Sequence, residues 1–369
     1  MILFPIMARR PQPPDEVLSR KTWPSAASAL DERHWGTGLL SECTLRMPDR
    51  TRSLPERKGD PGVGPGIETD KEVALSPEDS ESGPFRRMRM NWAGSLRREL
   101  SQRAEHYARA RQLPYCLSYG QPSTVCFERY CDDSRHGNFL PSTYKAILRN
   151  PNWHRRLQKV HSQGRKSLPR YENGIRRELD ACTSSDALLM NVFCYPGVFR
   201  DGRVGSILDV TPGATPDLGC RARVPLANGK FDRTEVDMRL GHLLIEAKLT
   251  ESDFQKAPKA VVRAYRDFNE VFDGEDLPQT AKDYRSYQLI RNVLAAYASG
   301  CTFCVLTDAR RPELTEDWYA VMKCVRPVDL RTRCKVLTWQ ELAKALPLRL
   351  QEFLGEKYGI PAVAEHAED

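Results

Sequence analysis

Apolar positions recur along this chain with two periods, and the switch from one to the other predicts its elements. From 92 to 112 they fall three and four residues apart, the spacing of one face of a helix. A second helix is expected over 171–182, with Ile175, Leu179 and Cys182 on one stripe, and 186–193 prolongs the apolar pattern. Three strands are expected at 219–225, 233–240 and 242–250, separated by Asn228-Gly229 and by Gly241. Helices follow at 258–272 and 282–299, the latter stopped by Gly300. A strand at 302–307, a helix at 313–324, a short strand at 335–338 and a helix from Trp339 close the pattern. Helices and strands in this order specify one α/β unit.

Residues 1–85 show neither period. Pro, Gly, Ser and charge dominate them, as in Gly59-Asp60-Pro61-Gly62, and the segment is expected to be disordered. Charge changes the picture next. The whole chain of 369 residues carries 56 Lys and Arg against 49 Asp and Glu, yet Phe85–Lys166 alone carries 17 against 5. The excess positive charge therefore lies in a basic, mainly helical extension over 86–167. Tyr144 and Trp153 are interleaved there with Lys145, Arg155, Arg156 and Lys159, a mixture suited to phosphate contacts and base stacking. The α/β unit then spans 168–360, and 361–369 reads as a flexible tail.

No stretch reaches the roughly 18 apolar residues of a membrane span, so the chain is expected to be soluble, without a membrane partner. The apolar opening Met1–Met7 precedes Arg9 and Arg10 instead of following a basic stretch, which makes a poor signal peptide and points to the cytoplasm. Eleven cysteines in no compact framework read as reduced thiols. A zinc module built on Cys116, Cys126, Cys131 and His136 is one alternative reading.

The chemistry concentrates between Arg233 and Thr250. The strand period of two puts Glu235, Asp237 and Arg239 on one face and Val236, Met238 and Leu240 on the other. In the next strand Leu243, Ile245, Ala247 and Leu249 alternate with Glu246 and Lys248. A two-residue turn at Gly241-His242 fixes the register so that paired residue numbers sum to 483. Asp237 then faces Glu246, and Glu235 faces Lys248. Two carboxylates about 5 Å apart are destabilising unless a positive charge lies between them. A Mg²⁺ ion would serve, since it takes one or two carboxylates and fills its other positions with water and substrate phosphate. Lys248 would position the attacking water, help to deprotonate it, or stabilise charge developing on phosphorus.

An acid on one strand followed by Glu246-Ala247-Lys248 on the next resembles the PD-(D/E)XK nuclease superfamily, the restriction-endonuclease-like fold. Val236 stands where that signature has proline. The resemblance implies a mixed central sheet flanked by helices, with the metal held by Asp237, Glu246 and the Ala247 carbonyl. It further implies an auxiliary glutamate from the first core helix, Glu178 or else Glu172, and a Gln288 on the helix after the triplet. Arg291 and Asn292, together with Arg155, Arg156 and Lys159, would contact nucleic acid. The implied activity is Mg²⁺-dependent hydrolysis of DNA phosphodiesters by an endonuclease, with Mn²⁺ as a substitute, RNA left open as the substrate and a homodimer as an admissible assembly. The alternative is a non-catalytic nucleic-acid-binding protein that retains the fold.

Overall fold

Two apolar runs set the centre of the structure. Leu243–Ala247 is buried along its whole length, as is Thr302–Thr307 after its first residue, the signature of strands covered on both faces. They pair in parallel, with Thr302 opposite Leu243 and Leu306 opposite Ala247. The computed structural model describes residues 91–361 except 119–121, 131–133, 164–165, 169–173 and 212. The expected disordered segment and Glu172 therefore lie outside the described residues, as does Cys131 and all but the first residue of the expected tail.

The central sheet has five strands, in the spatial order Cys334–Thr338, Thr302–Thr307, Leu243–Ala247, Glu235–Leu240, Asp217–Arg221. The first three run parallel and the last two join antiparallel, so the sheet is mixed. Its hairpin keeps the register read from the turn: Met238 pairs with Ile245, Arg239 with Leu244 and Leu240 with Leu243. Gly241 supplies the turn with φ +60°, a conformation that costs any residue with a Cβ.

Alternate side chains of the central strands enter different apolar clusters. Leu243, Ile245, Ala247, Cys304 and Leu306 pack with Leu96, Leu100 and Ala104 of helix Trp92–Ala110 and with Phe353 and Leu354 of helix Leu348–Tyr358. Leu244, Phe303 and Val305 pack instead with helices Tyr287–Ser299 and Pro312–Met322. A smaller cluster joins Phe139, Tyr144, Ile147 and Leu157 to Ala187 and Met190. The basic stretch is thus built into the core through its apolar positions. Several of its arginines are paired: Arg103 with Glu99, Arg109 with Glu105 and Arg111 with Glu356. No helix among the described residues is long and apolar enough to cross a membrane.

Several local expectations change. The strand expected at 219–225 divides into Asp217–Arg221 and Val224–Pro225, which lie in different sheets. Among the described residues of the segment expected as a helix at 171–182, the helical part is a single 3₁₀ turn, Glu178–Asp180, and Ile175 is 58% exposed. Distant extended segments claim its backbone: Glu178 N–H donates to the Lys159 carbonyl and Cys182 N–H to that of Val125. The first core helix is Ser185–Phe193, started by Ser184, whose side chain accepts the Ala187 N–H. In place of one helix over 258–272 stand two short ones, Lys259–Arg263 and Phe268–Val271. The helix expected from 282 begins at Tyr287, because Asp283–Arg285 forms a strand with Lys256–Pro258 and Ser286 turns the chain with φ +55°. Finally, Val236 joins the cluster of Leu244 and not that of Met238 and Leu240. On the neighbouring strand, Gly219 lies between the pairs Leu218–Met238 and Cys220–Val236 with φ +67°.

The two left-handed glycines separate backbone cost from steric cost. A Cβ on Gly241 would meet open space, whereas one on Gly219 would lie 2.3 Å from an Arg156 guanidinium nitrogen and 3.0 Å from Glu235. Gly241→Ala is expected to lower unfolding free energy by about 1–2 kcal/mol, the left-handed penalty alone. Gly219→Ala should cost measurably more in the same urea titration; equal losses would contradict this placement of Arg156.

Candidate active site

The hairpin ends where its ladder stops. Beyond Met238–Ile245 the Asp237 carboxylate itself accepts the Ala247 N–H, at 2.9 Å. This bond brings Asp237 to the start of the Glu246-Ala247-Lys248 triplet. It also ends the pairing before Glu235 can reach Lys248, contrary to the register's simple extension: Glu235 turns to Arg156, at 2.5 Å.

Glu246 and Lys248 are buried, at 2% and 4% exposure. Their carboxylate and ammonium lie 3.0 Å apart. Both are also held from helix Tyr287–Ser299, where Asn292 Nδ2 donates to Glu246 Oε2 at 2.9 Å and Gln288 Oε1 accepts from Lys248 Nζ at 2.8 Å. Burial pushes the Asp237 carboxyl well above its ordinary value, and the charges of Glu246 and Asp186 push it further; Lys248 and the Ala247 N–H oppose them without prevailing. Burial alone would lower the Lys248 ammonium, but the carboxylates of Glu246, Glu251 and Asp237 outweigh it and raise the group. Lys248 therefore holds its proton.

The backbone leaving the triplet is clamped from later in the chain. Trp339 Nε1 donates to the Lys248 carbonyl at 3.0 Å. The fully buried Arg311 donates to the carbonyls of Leu249 and Glu251 at 2.8 and 2.7 Å, with Glu313 as its counter-ion at 2.6 Å. Glu251 in turn accepts the Leu249 N–H and the Ser185 hydroxyl.

Asp186 is the acid that sequence reasoning passed over. It sits in the first turn of helix Ser185–Phe193, where Ser184-Ser185-Asp186 reads only as a cap, yet it is 3% exposed and acts on Asp237. Arg156 and Lys159 contact its carboxylate at 2.9 and 2.8 Å. Despite complete burial, these two cations hold Asp186 below its ordinary value. Glu178, the expected auxiliary acid, precedes the helix and pairs with Lys159 at 3.1 Å; burial and the charge of Asp186 raise it.

The expected nucleic-acid contacts divide. Arg155 is exposed. Arg156 is tied to Asp186 and Glu235, and Lys159 to Glu178 and Asp186. Arg291 is buried and donates to the Glu235 carbonyl and to Asn292 Oδ1, while Asn292 is fully buried against Glu246. The last two thus fix the site from behind instead of meeting a ligand from solvent. The zinc reading finds its histidine taken: His136 Nε2 faces Asp180 Oδ1 at 3.1 Å and Nδ1 accepts the Asn138 N–H. Burial pushes the Cys126 thiol up to about 12. Among the described residues no three His, Cys, Asp or Glu side chains gather as a ready ligand set.

A family model described as Restriction Endonuclease associating with ARP matches residues 101–359, a span that includes all the site residues above. No curated protein and no solved structure matches the chain.

The raised Asp237 carboxyl makes a pH-dependent prediction. A folded pKa above the unfolded one means that this group's contribution to stability is complete below the ordinary value of 3.8 and is lost as pH rises through the folded value. Asp237→Asn, which cannot ionise, should therefore be more stable than the parent at neutral pH, with the gap closing as pH falls toward 3.8. Urea midpoints at several pH values test this; a variant less stable than the parent at neutral pH would refute it.

Proposed function

The chain belongs to the family of restriction endonucleases associating with ARP, and from that premise we propose that it is a Mg²⁺-dependent endonuclease hydrolysing DNA phosphodiester bonds. The observation that carries this reading is the convergence of Asp237, Glu246 and Lys248 at one end of a hairpin, each side chain already held by a second group.

The donor set suits a hard cation. Asp237 and Glu246 supply oxygen ligands, and the like-charge pressure that raises the Asp237 carboxyl is what a divalent cation would relieve. Two carboxylates and the Ala247 carbonyl match the few protein ligands that Mg²⁺ takes at phosphoryl-transfer sites, and Mn²⁺ would accept the same set. Bound there, the cation supplies Lewis acidity toward a phosphoryl oxygen.

This chain's own residues do the rest. Lys248, held protonated, presents an ammonium to the charge that builds on the phosphoryl oxygens and donates a hydrogen bond that orients the attacking water. Gln288 fixes that ammonium, and Asn292 fixes the Glu246 carboxylate, so neither group has to reorganise as charge develops. Asp186 adds negative charge beside Asp237 and takes the auxiliary part first expected of Glu178.

Lys248→Ala is expected to slow Mg²⁺-dependent cutting of supercoiled DNA by about 10²–10⁴-fold, and Glu246→Ala to abolish it, with both variants still retaining DNA in a gel-shift assay. Unchanged cleavage by either variant would overturn the assignment. Retention without any cutting by the parent protein would favour a non-catalytic nucleic-acid-binding role.

A further inference from the structure

The cations expected to meet nucleic acid are largely spent inside the molecule, which raises the question of which exposed ones stand near Lys248. Lys256–Pro258 and Asp283–Arg285 form a two-stranded antiparallel ribbon with Lys256 opposite Arg285, Ala257 opposite Tyr284 and Pro258 opposite Asp283. Alternation sends Ala257 and Tyr284 inward, at 6% and 0% exposure, and leaves Lys256 and Arg285 together on the outer face. Two like charges directly opposite across strands are destabilising in isolation. The acid nearest to Lys256 is Asp283, at 3.6 Å, and the lysine side chain remains 72% exposed. Lys282 is exposed beside them, and Lys259, whose N–H donates to the Lys282 carbonyl, rests its ammonium 5.7 Å above the Tyr284 ring.

The ribbon is rooted in the site. Tyr287 N–H donates to the Gln255 carbonyl and Gln288 N–H to that of Phe254, both at 3.0 Å, and Gln288 holds Lys248. Arg285 stands three positions before Gln288, a reach of at most about 11 Å. That spans about three nucleotide rises of a duplex strand. The ribbon offers no aromatic face for base stacking: the Tyr284 ring is buried, and the Tyr287 hydroxyl is 2.8 Å from that of Tyr265. Cations without a stacking platform fit the phosphates of a duplex better than unpaired bases.

We propose that this ribbon is a docking surface for the backbone of double-stranded DNA, with Lys256 and Arg285 contacting phosphates a few nucleotides from the bond facing Lys248. The inference rests on the nuclease reading and names the substrate surface of that site.

The test uses the full chain with Lys256→Glu and Arg285→Glu combined, and measures affinity for a short mixed-sequence duplex at several salt concentrations. At about 0.1 M salt the affinity should fall about tenfold or more, and the slope of log affinity against log salt should lose about two units, one per contact. Cleavage at limiting protein should fall in step and recover at saturating protein. Lys282→Glu alone, with its side chain exposed, should give a smaller loss of the same kind. The exposed pair Lys323→Glu and Lys344→Glu makes the same charge change elsewhere and should leave binding intact. Parental affinity and slope in the ribbon variant would overturn the proposal, as would an equal loss in the control pair or a loss confined to duplex RNA. If the parent cuts DNA while the ribbon variant binds it normally, the ribbon falls and the nuclease stands. If Lys248→Ala cuts as well as the parent while the ribbon variant loses affinity, the ribbon stands and the catalytic assignment falls.

Discussion

Burying Glu246 and Lys248 as an ion pair at the end of the hairpin is the constraint from which the rest of the structure follows. Desolvating each ion costs several kcal/mol, and their mutual attraction offsets this only when the remaining hydrogen-bonding capacity is also satisfied. Asn292 completes the carboxylate and Gln288 the ammonium, both from one helix laid across the strand ends. Asp237 has no such helix partner. It accepts the Ala247 N–H, yet burial and the charges of Glu246 and Asp186 outweigh that bond and raise its carboxyl. The site's charges are thus matched except for one surplus acid, the feature on which the proposed cation rests.

Much of this was readable from the residues, and the parts that were not share a cause. The hairpin register followed from one glycine turn, because a turn of fixed length leaves strands no freedom to slip. Of the central strands, Leu243–Ala247 followed from its alternation and Thr302–Thr307 from its apolar run. The expected helix over 171–182 failed because its backbone partners, Val125 and Lys159, are remote in sequence, and no local period announces them. Asp186 was hidden because a first-turn acid has a sufficient local explanation in the helix dipole. For Arg291 and Asn292 the helical period gave the correct polar face. What it could not give is whether that face meets water or a buried carboxylate.

The basic stretch shows the same gap between charge and its use. Its composition suggested a surface for polyanions, yet Arg156 and Lys159 pair with Asp186, Glu178 and Glu235 beside the candidate site. These contacts, with the apolar cluster around Tyr144 and Leu157, tie the segment to the first core helix. Net charge located these cations correctly, and the fold pairs two of them with the chain's own acids. The ribbon cations are the converse case: they are few in number, contribute little to composition and remain exposed to solvent.

The clamp on the triplet's backbone has a bearing on how the protein is made. The Lys248 carbonyl finds its donor in Trp339, 91 residues later. At a synthesis rate of roughly 5–20 residues per second, the ribosome needs about 5–18 s to cover that distance. Throughout that interval the nascent chain has its acidic and lysine residues but lacks the indole that fixes their backbone, and for much of it the Arg311 guanidinium and the neighbouring strand Thr302–Thr307 as well. Assembly of the site is thereby deferred until nearly the whole fold has emerged.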